Sequence, residues 1–538
     1  MPSTRRTFLR TVAAGLAAGG MVTPAVSDDH VQTAQSTAIP AGGTPVPAEP
    51  LRLAAGPHLV LDDSLFARRE GVTLKAQACR KLDRPVLTGE KPWENGRVYV
   101  YGSVLDDPAT GGLRMWYMSR VEGGPKHDPL LTRSPGGRDL TLYATSADGI
   151  AWTRPNLGLY EFDGSRDNNI VFDLHSPSVA FDPADPAPAR RYKMLGFGRG
   201  EKGSGYCAAT SPDGLHWQAA PGNPILPKAD TITLAHDPAT GEFLALHKNH
   251  AKHRGYGRRL VYVSSSRDFR TWTPPAQALA PDVEDDAWAK DPGQRMDFYN
   301  LSAFRRGRLW VGLVTAFRVR QRLGKTALGQ SPDDGPIDVQ LVTSRDGLRW
   351  QRCSDRTPVI PNGPHPYDAG CILGISNMPV YRGGEMWMYY TAITTTHGGA
   401  LPEKQLTIAR AAWRQDGLAA LETAAGQGGA EGIVETVPLA VPAGPARTGQ
   451  ASAGQAGGAP LIVNADASAG RLRVEVLDAD GRALAGYAAA DCRAIAADGV
   501  ALAVTWATHD RLPAAQTIRL RFLLQGAKLF SLTLGGEK

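Results

Sequence analysis

Cysteine is scarce in this chain: there are five in 538 residues, at Cys79, Cys207, Cys353, Cys371 and Cys492, and no Cys-x-x-Cys pair. That spacing excludes a cysteine-built zinc or dithiol redox site and gives no sign of a disulfide framework. Long apolar runs are missing too. After residue 27 none approaches the ~20 residues of a membrane-spanning helix, so no transmembrane segment is expected. Neither sign of charge dominates. The 59 Lys and Arg against 53 Asp and Glu leave a net charge of +6 with no basic stripe, so a nucleic-acid partner has no support. Gly 60 and Pro 40 make the chain rich in turns, yet below the roughly 25–30% typical of low-complexity sequences. From residue 51 to 420 no segment sustains a helical period, which points away from helical and mixed folds.

What is present begins with an export signal. Residues 3–10 read Ser-Thr-Arg-Arg-Thr-Phe-Leu-Arg, an apolar run follows from Val12 to Val22, and Ala25-Val-Ser27 offers a small-residue cleavage site. A basic start, a short apolar stretch and a small-x-small end make a signal peptide over 1–27. The arginine pair before Phe-Leu resembles the twin-arginine signal, which implies a periplasmic or extracellular protein. Residues 28–50, rich in Ala, Pro and Thr, are expected to be a disordered leader.

The strongest signal is a repeat. Ser146-Ala-Asp-Gly-Ile-Ala-Trp152 recurs as Ser211-Pro-Asp-Gly-Leu-His-Trp217, Ser266-Arg-Asp-Phe-Arg-Thr-Trp272 and Ser344-Arg-Asp-Gly-Leu-Arg-Trp350. Each copy follows an alternating or apolar run and reads as a hairpin turn. Preceding each is an aromatic or apolar strand: Leu113–Met118, Tyr192–Phe197, Glu242–Leu246, Leu309–Val314 and, in a fifth unit, Glu385–Tyr390. Four antiparallel strands recurring every 50–80 residues describe a propeller blade, and five second strands predict five blades. The turn Asp and Trp are expected to hold the fold and to carry no chemistry. Beyond residue 430, short alternating strands at 461–464, 471–477, 501–506, 518–523 and 528–534 suggest a β-sandwich. The expected fold is therefore all-β, with a five-bladed β-propeller over 51–430 followed by a C-terminal β-sandwich over 431–538.

This architecture resembles glycoside hydrolase family 32, whose relatives in families 43 and 68 share the propeller. The segment Gly158-Leu-Tyr-Glu-Phe-Asp-Gly-Ser-Arg-Asp-Asn-Asn-Ile-Val171 also resembles secreted bacterial propellers described as family-32-like. The likeness lies in architecture, since the Trp-Met-Asn-Asp-Pro-Asn-Gly opening of family 32 is absent. The repeated turn is similar to the Asp-box of sialidases, although that motif is one residue longer. The resemblance implies a secreted glycoside hydrolase acting on a poly- or oligosaccharide, with acids at the inner strands of the first three blades. It implies no organic cofactor, and the family 43 likeness implies a structural Ca²⁺ in the channel.

Acids lying just before an apolar inner-strand position are Asp230, Asp297 and Asp368, with Glu94 in the first blade and His175, after Asp173, in the second. Carboxylates gathered at one mouth suit glycoside hydrolysis, in which one group protonates the leaving oxygen and another serves as base or nucleophile. By resemblance Asp230 holds the general-acid position. Glu94 is the candidate nucleophile or base, and Asp297 or Asp368 would orient hydroxyls or tune pKa values. Trp93 and Tyr299 are candidates for stacking on a sugar, and His175 and His397 for facing the substrate. Arg258 and Arg259 either bind an anionic substrate group or pair with rim acids. The tract His247-Lys-Asn-His250-Ala-Lys-His253 reads as a loop, and no metal site is expected from it. Two alternatives remain beside the hydrolase: a non-catalytic carbohydrate-binding propeller, and a sialidase-like enzyme with a Tyr nucleophile and three arginines.

Overall fold

The computed structural model describes residues 49–535 apart from 54–55, 122–137, 228–229, 325–326, 328, 354, 424–429, 442–457 and 515. The expected export signal and nearly all of the leader lie outside the described residues. The architecture is all-β, with short 3₁₀ turns as the only helical pieces among the described residues.

Five antiparallel units follow one another along the chain. The first is built from Tyr99–Asp106, Leu113–Val121, Arg138–Ser146 and Ile170–Phe172, and the second from His175–Phe181, Tyr192–Gly200, Gly203–Ser211 and Gln218–Ala219. The third comprises Ile232–Asp237, Glu242–His253, Tyr256–Ser266 and Ala276–Leu279, and the fourth Arg295–Arg306, Leu309–Val319, Ile337–Ser344 and Gln351–Arg352. The fifth takes Cys371–Ile375, Glu385–Ile393 and Leu406–Arg414 from its own stretch, with Val380–Arg382 beside the second strand. Its outer strand, Arg80–Lys81, comes from far upstream and pairs with Ala411 and Ala412. The start of the chain thus closes the ring.

Each sheet is apolar on both faces and buries them against its two neighbours. Five separate apolar clusters fill the five seams. Trp116 and Tyr143 meet Val179 and Met194 in the first seam, and Leu195 and Tyr206 meet Ile232 and Phe243 in the second. Leu244 and Val261 meet Trp310 and Val342 in the third. Val311 and Leu341 meet Ile372 and Met388, and Tyr389 and Ile408 meet Met115 and Tyr117, to complete the circle. The inner strands carry small polar side chains that stitch each blade to the next. Ser103 Oγ donates to Val179 O (2.9 Å), Leu234 N donates to Ser178 Oγ (2.9 Å), and Ser302 Oγ donates to Ile375 O (2.9 Å). At the crowded axis Gly102 leaves no room for a side chain, because a Cβ would fall 2.0 Å from Trp116 O.

The repeated turn is a backbone clamp. In the fourth blade Asp346 Oδ1 accepts from the N–H groups of Leu348 and Arg349 (2.8 Å each), and Gly347 N–H donates to Ser344 Oγ (2.8 Å). The glycines of the turn, Gly149, Gly214 and Gly347, sit at φ +72°, +80° and +73°, the left-handed region that glycine enters without steric cost. In the third copy Phe269 holds that place at φ +57°.

The sandwich draws on both ends of the described chain. One sheet orders Leu51–Arg52, Leu439–Ala440, Thr517–Gln525, Gly432–Thr436 and Phe66–Glu70, with Arg471–Leu477 also on Thr517–Gln525. The other orders Asp498–Ala503, Leu461–Asp466, Lys528–Leu534, Ala419–Thr423 and Val72–Ala76, with Pro57–Leu59 also on Lys528–Leu534. Val434, Leu520 and Val474 of the first face Val463, Leu529 and Leu532 of the second in one core. The expected boundaries at 51 and 430 are therefore displaced: residues 51–76 and 419–423 pair into the sandwich. The physical reason is edge protection, since the upstream strands cover edges that the C-terminal strands alone would leave open.

Candidate functional site

All five inner strands begin at the same rim, so the residues just before or at their starts share one mouth. Asp230 stands two residues ahead of Ile232–Asp237 with 42% of its side chain exposed. The Lys248 ammonium makes an ion pair with its Oδ2, and His175 Nε2 lies 3.3 Å from its Oδ1. The other ring nitrogen of His175 is 3.5 Å from Asp139 Oδ2, and Asp139 is fully buried and also bound by Arg120 (3.2 Å). Lys248 in turn sits 3.6 Å above the centre of the Tyr299 ring. Tyr101 packs against His175 with ring centres 5.8 Å apart. An Asp139–His175–Asp230–Lys248 chain of alternating charge, flanked by two tyrosines, thus lies across the mouth.

The electrostatics follow from that chain. Burial works against charge on Asp230, but Lys248 and His175 outweigh it and hold the carboxyl well below the usual carboxylate range. Burial likewise opposes protonation of His175, yet Asp139 and Asp230 push its pKa up to about 9. Asp230 is therefore a carboxylate at neutral pH. It is suited to act as base, as nucleophile or as the partner of a developing cation, and unsuited to donate a proton. That charge favours a base or nucleophile over the general-acid role expected for Asp230.

Asp297, on the inner strand of the fourth blade, is on the same side but closed off. It is fully buried, receives Arg259 Nη1 (2.9 Å) and Arg295 Nε (3.1 Å), and both arginines also bind Asp333 (2.8 and 3.2 Å). Burial outweighs the two guanidiniums and raises its pKa. Arg259 lies 5.6 Å from the Tyr299 ring centre, beneath the mouth. Its pairing with rim acids is the outcome the sequence left open. His397 packs on Tyr299 (5.2 Å) and Phe317 (4.8 Å), donates from Nδ1 to Asp333 O (2.9 Å), and is kept neutral by burial, its pKa falling to about 3.

The remaining expectations do not gather there. Glu94 is fully buried under the first blade: Oε2 accepts from the N–H groups of Glu90 and Lys91 (2.8 and 2.9 Å), and Oε1 from Tyr117 Oη and Arg154 Nε (2.7 Å each). With no exposed oxygen it has no access to a substrate, and its nucleophile role is corrected. Asp368 is also fully buried, held by Lys81 Nζ (2.5 Å) and Tyr390 Oη (2.9 Å) at the seam where the upstream strand closes the ring. Trp93 donates to Asn169 Oδ1 (2.7 Å) and packs edge-on against Phe162, away from the tyrosines of the mouth. Arg258 is fully buried, tied to Asp286 (2.8 and 2.9 Å) and Met296 O (2.7 Å). The histidine tract is no loop: it forms the second half of Glu242–His253, where alternation sends His247 and His250 to opposite faces.

The sequence reading overlooked Asp139, Lys248, Tyr101 and Asp333. Two signals were available: the Tyr99-Val-Tyr101 alternation at the first inner strand, and the length of the third blade's second strand, whose twelve residues carry Lys248 up to the rim. Asn377 Nδ2 bridges the axis to Val179 O and Leu234 O (2.8 Å each). Among the described residues no group of three His, Cys, Asp or Glu side chains is placed to hold a metal ion.

No protein-family model and no curated protein matches the chain. Solved structures do. A family-43 glycoside hydrolase described as thermostable is 13% identical, with a TM-score of 0.40, 66% of this chain covered and 95% of that one. A glycosyl hydrolase from Bacteroides ovatus is 13% identical (TM-score 0.39, covering 63% and 94%), and a β-1,2-mannobiose phosphorylase from Listeria innocua is 14% identical (TM-score 0.37, covering 62% and 96%).

Proposed function

We propose that the protein is an exported carbohydrate-active hydrolase that cleaves a glycosidic bond at the propeller mouth, with Asp230 as its reacting carboxylate. One observation carries the reading. Among the inner-strand acids, Asp230 alone combines an exposed carboxylate with two cationic neighbours that keep it ionised, between aromatic faces suited to a sugar ring. Asp230 either takes a proton from the attacking water or itself attacks the anomeric carbon, while the C–O bond to the leaving sugar breaks and its oxygen takes a proton from solvent at the open mouth. Lys248 and His175 are positioning residues that fix its orientation and charge.

The test is a screen of aryl glycosides, fructans and plant or microbial oligosaccharides with wild type and Asp230→Asn. Turnover by the wild type that the variant loses supports the reading, and equal turnover by both removes Asp230 from it. Anomer-resolved NMR of the product separates base from nucleophile, because inversion goes with the first and retention with the second. A second reading, a carbohydrate-binding propeller without turnover, is favoured by the closure of Glu94, Asp297 and Asp368. Saturable glycan binding with no product from any bound glycan would select it.

A further inference from the structure

A second recess opens on the same rim, between the approach to the first inner strand and the loop that leads into Leu406–Arg414. Its volume is about 690 Å³, within the range of ligand pockets. Asn95, Arg97, Leu401, Pro402, Lys404 and Gln405 are among its walls. The recess adjoins the mouth through His397, whose carbonyl accepts from Lys404 Nζ (2.6 Å) while its ring rests on Tyr299.

Lys404 is the unusual member. It is 6% exposed, and its ammonium donates to two carbonyls, His397 O and Gly329 O (3.1 Å). Among the described residues no carboxylate lies within ion-pair distance of it. Burial works against the charge of this ammonium, and Asp334, beyond ion-pair distance, offsets that only in part, so an anion supplied from outside would be favoured there. Arg97, also 6% exposed, adds a second cation to the same wall. Leu401 and Pro402 offer apolar surface, and Asn95 and Gln405 offer amides, a mixture suited to the face and hydroxyls of a sugar.

We propose that this recess is a subsite for a carboxylated sugar, a uronic acid residue of the saccharide, with Lys404 as the counter-ion of its carboxylate. The inference rests on the carbohydrate reading of the mouth and specifies the substrate class. Its test is equilibrium binding by calorimetry, which needs no turnover and so fails or succeeds independently of Asp230. The probes are trigalacturonate, neutral galactotriose and a sulfated galactotriose, against wild type, Lys404→Gln and Lys404→Arg.

Wild type is expected to bind trigalacturonate at least about tenfold more tightly than galactotriose, as a charge-assisted hydrogen bond supplies. Lys404→Gln is expected to abolish that ratio and Lys404→Arg to retain most of it. Equal affinity for charged and neutral trimers overturns the proposal. So does a Lys404→Gln variant, folded by circular dichroism, that keeps the ratio, and preference for the sulfated trimer overturns the assignment to a carboxylate. Should Lys404→Gln fail to fold, wild-type binding of trigalacturonate against its neutral methyl ester decides: equal affinity for the two overturns the ionic contact.

Discussion

Asp230 and Asp368 occupy the same place in their repeats, the approach to an inner strand, and each is paired with a lysine. The third-blade aspartate meets Lys248 at the open rim with 42% of its side chain exposed, whereas the fifth-blade aspartate meets Lys81 at a closed seam with none. The difference lies in where the lysine comes from. Lys248 rides on the over-long second strand of the same blade, while Lys81 arrives on the upstream strand that closes the ring. One Asp–Lys pair therefore opens onto the mouth, and its counterpart is a rivet.

The sharpest way to break this comparison is to neutralise both. Asp230→Asn is expected to lower kcat/KM by about 10²–10⁴-fold, the usual cost of losing a positioned base, on whichever glycoside the screen identifies. Its unfolding free energy should fall by less than that of the Asp368 variant, because the isosteric Asn keeps an amide oxygen for the buried Lys248 ammonium to donate to. Asp368→Ala should do the reverse. It strands the Lys81 ammonium in a dry seam, which costs about 3–5 kcal/mol when one partner of a buried pair is removed, measurable by urea unfolding. If Asp368→Ala abolished turnover while leaving the urea midpoint in place, the two aspartates would have to exchange roles. Glu94→Ala, which takes from Arg154 its buried carboxylate and leaves it Thr88 O and the more distant Glu90, belongs with the second class.

The blades were legible because their signals are local. Turn chemistry, an apolar second strand and a tryptophan recur within short stretches, and the four turns form where the motif places them, between third and fourth strands. The rim was legible too, since the register of an inner strand determines which end its first residue faces. What a rim acid meets was not. Lys81 is 287 residues from Asp368, and Arg259 is 38 from Asp297; nothing in the local pattern around an acid reports such partners. The same blindness hid the upstream strands of the sandwich, because residues 51–76 look no different from propeller strands until the edges they cover are known.

A titration sharpens the comparison from the other direction. His175 has a folded pKa raised from 6.5 to about 9, so its imidazolium stabilises fully below about pH 6.5 and ceases to do so as pH rises through about 9. Asp230 is depressed below its ordinary 3.8, so its contribution is present above that value and lost only as pH falls through the lower folded one. Activity is expected to hold level between these limits and to fall about tenfold per pH unit above 9, as a single deprotonation requires. His175→Gln should abolish that alkaline limb and lower the plateau. A limb that survives unchanged in the variant would assign it to another group.

The smallest effect concerns an acid that has no part in the mouth. Asp346 belongs to the repeated turn, where one carboxylate oxygen collects two backbone N–H groups and the Ser344 hydroxyl. Replacing it with Ala leaves those N–H groups to water, because Leu348 and its neighbour are exposed, so the loss is that of a surface cap: about 1 kcal/mol. Turnover should be unchanged, because the turn caps an outer hairpin whose Trp350 packs in the seam between the third and fourth blades. A measurable drop in kcat for Asp346→Ala at constant stability would show that blade positions are coupled to the rim. In that case the division between reactive and riveting acids would have to be redrawn for every copy of the repeat.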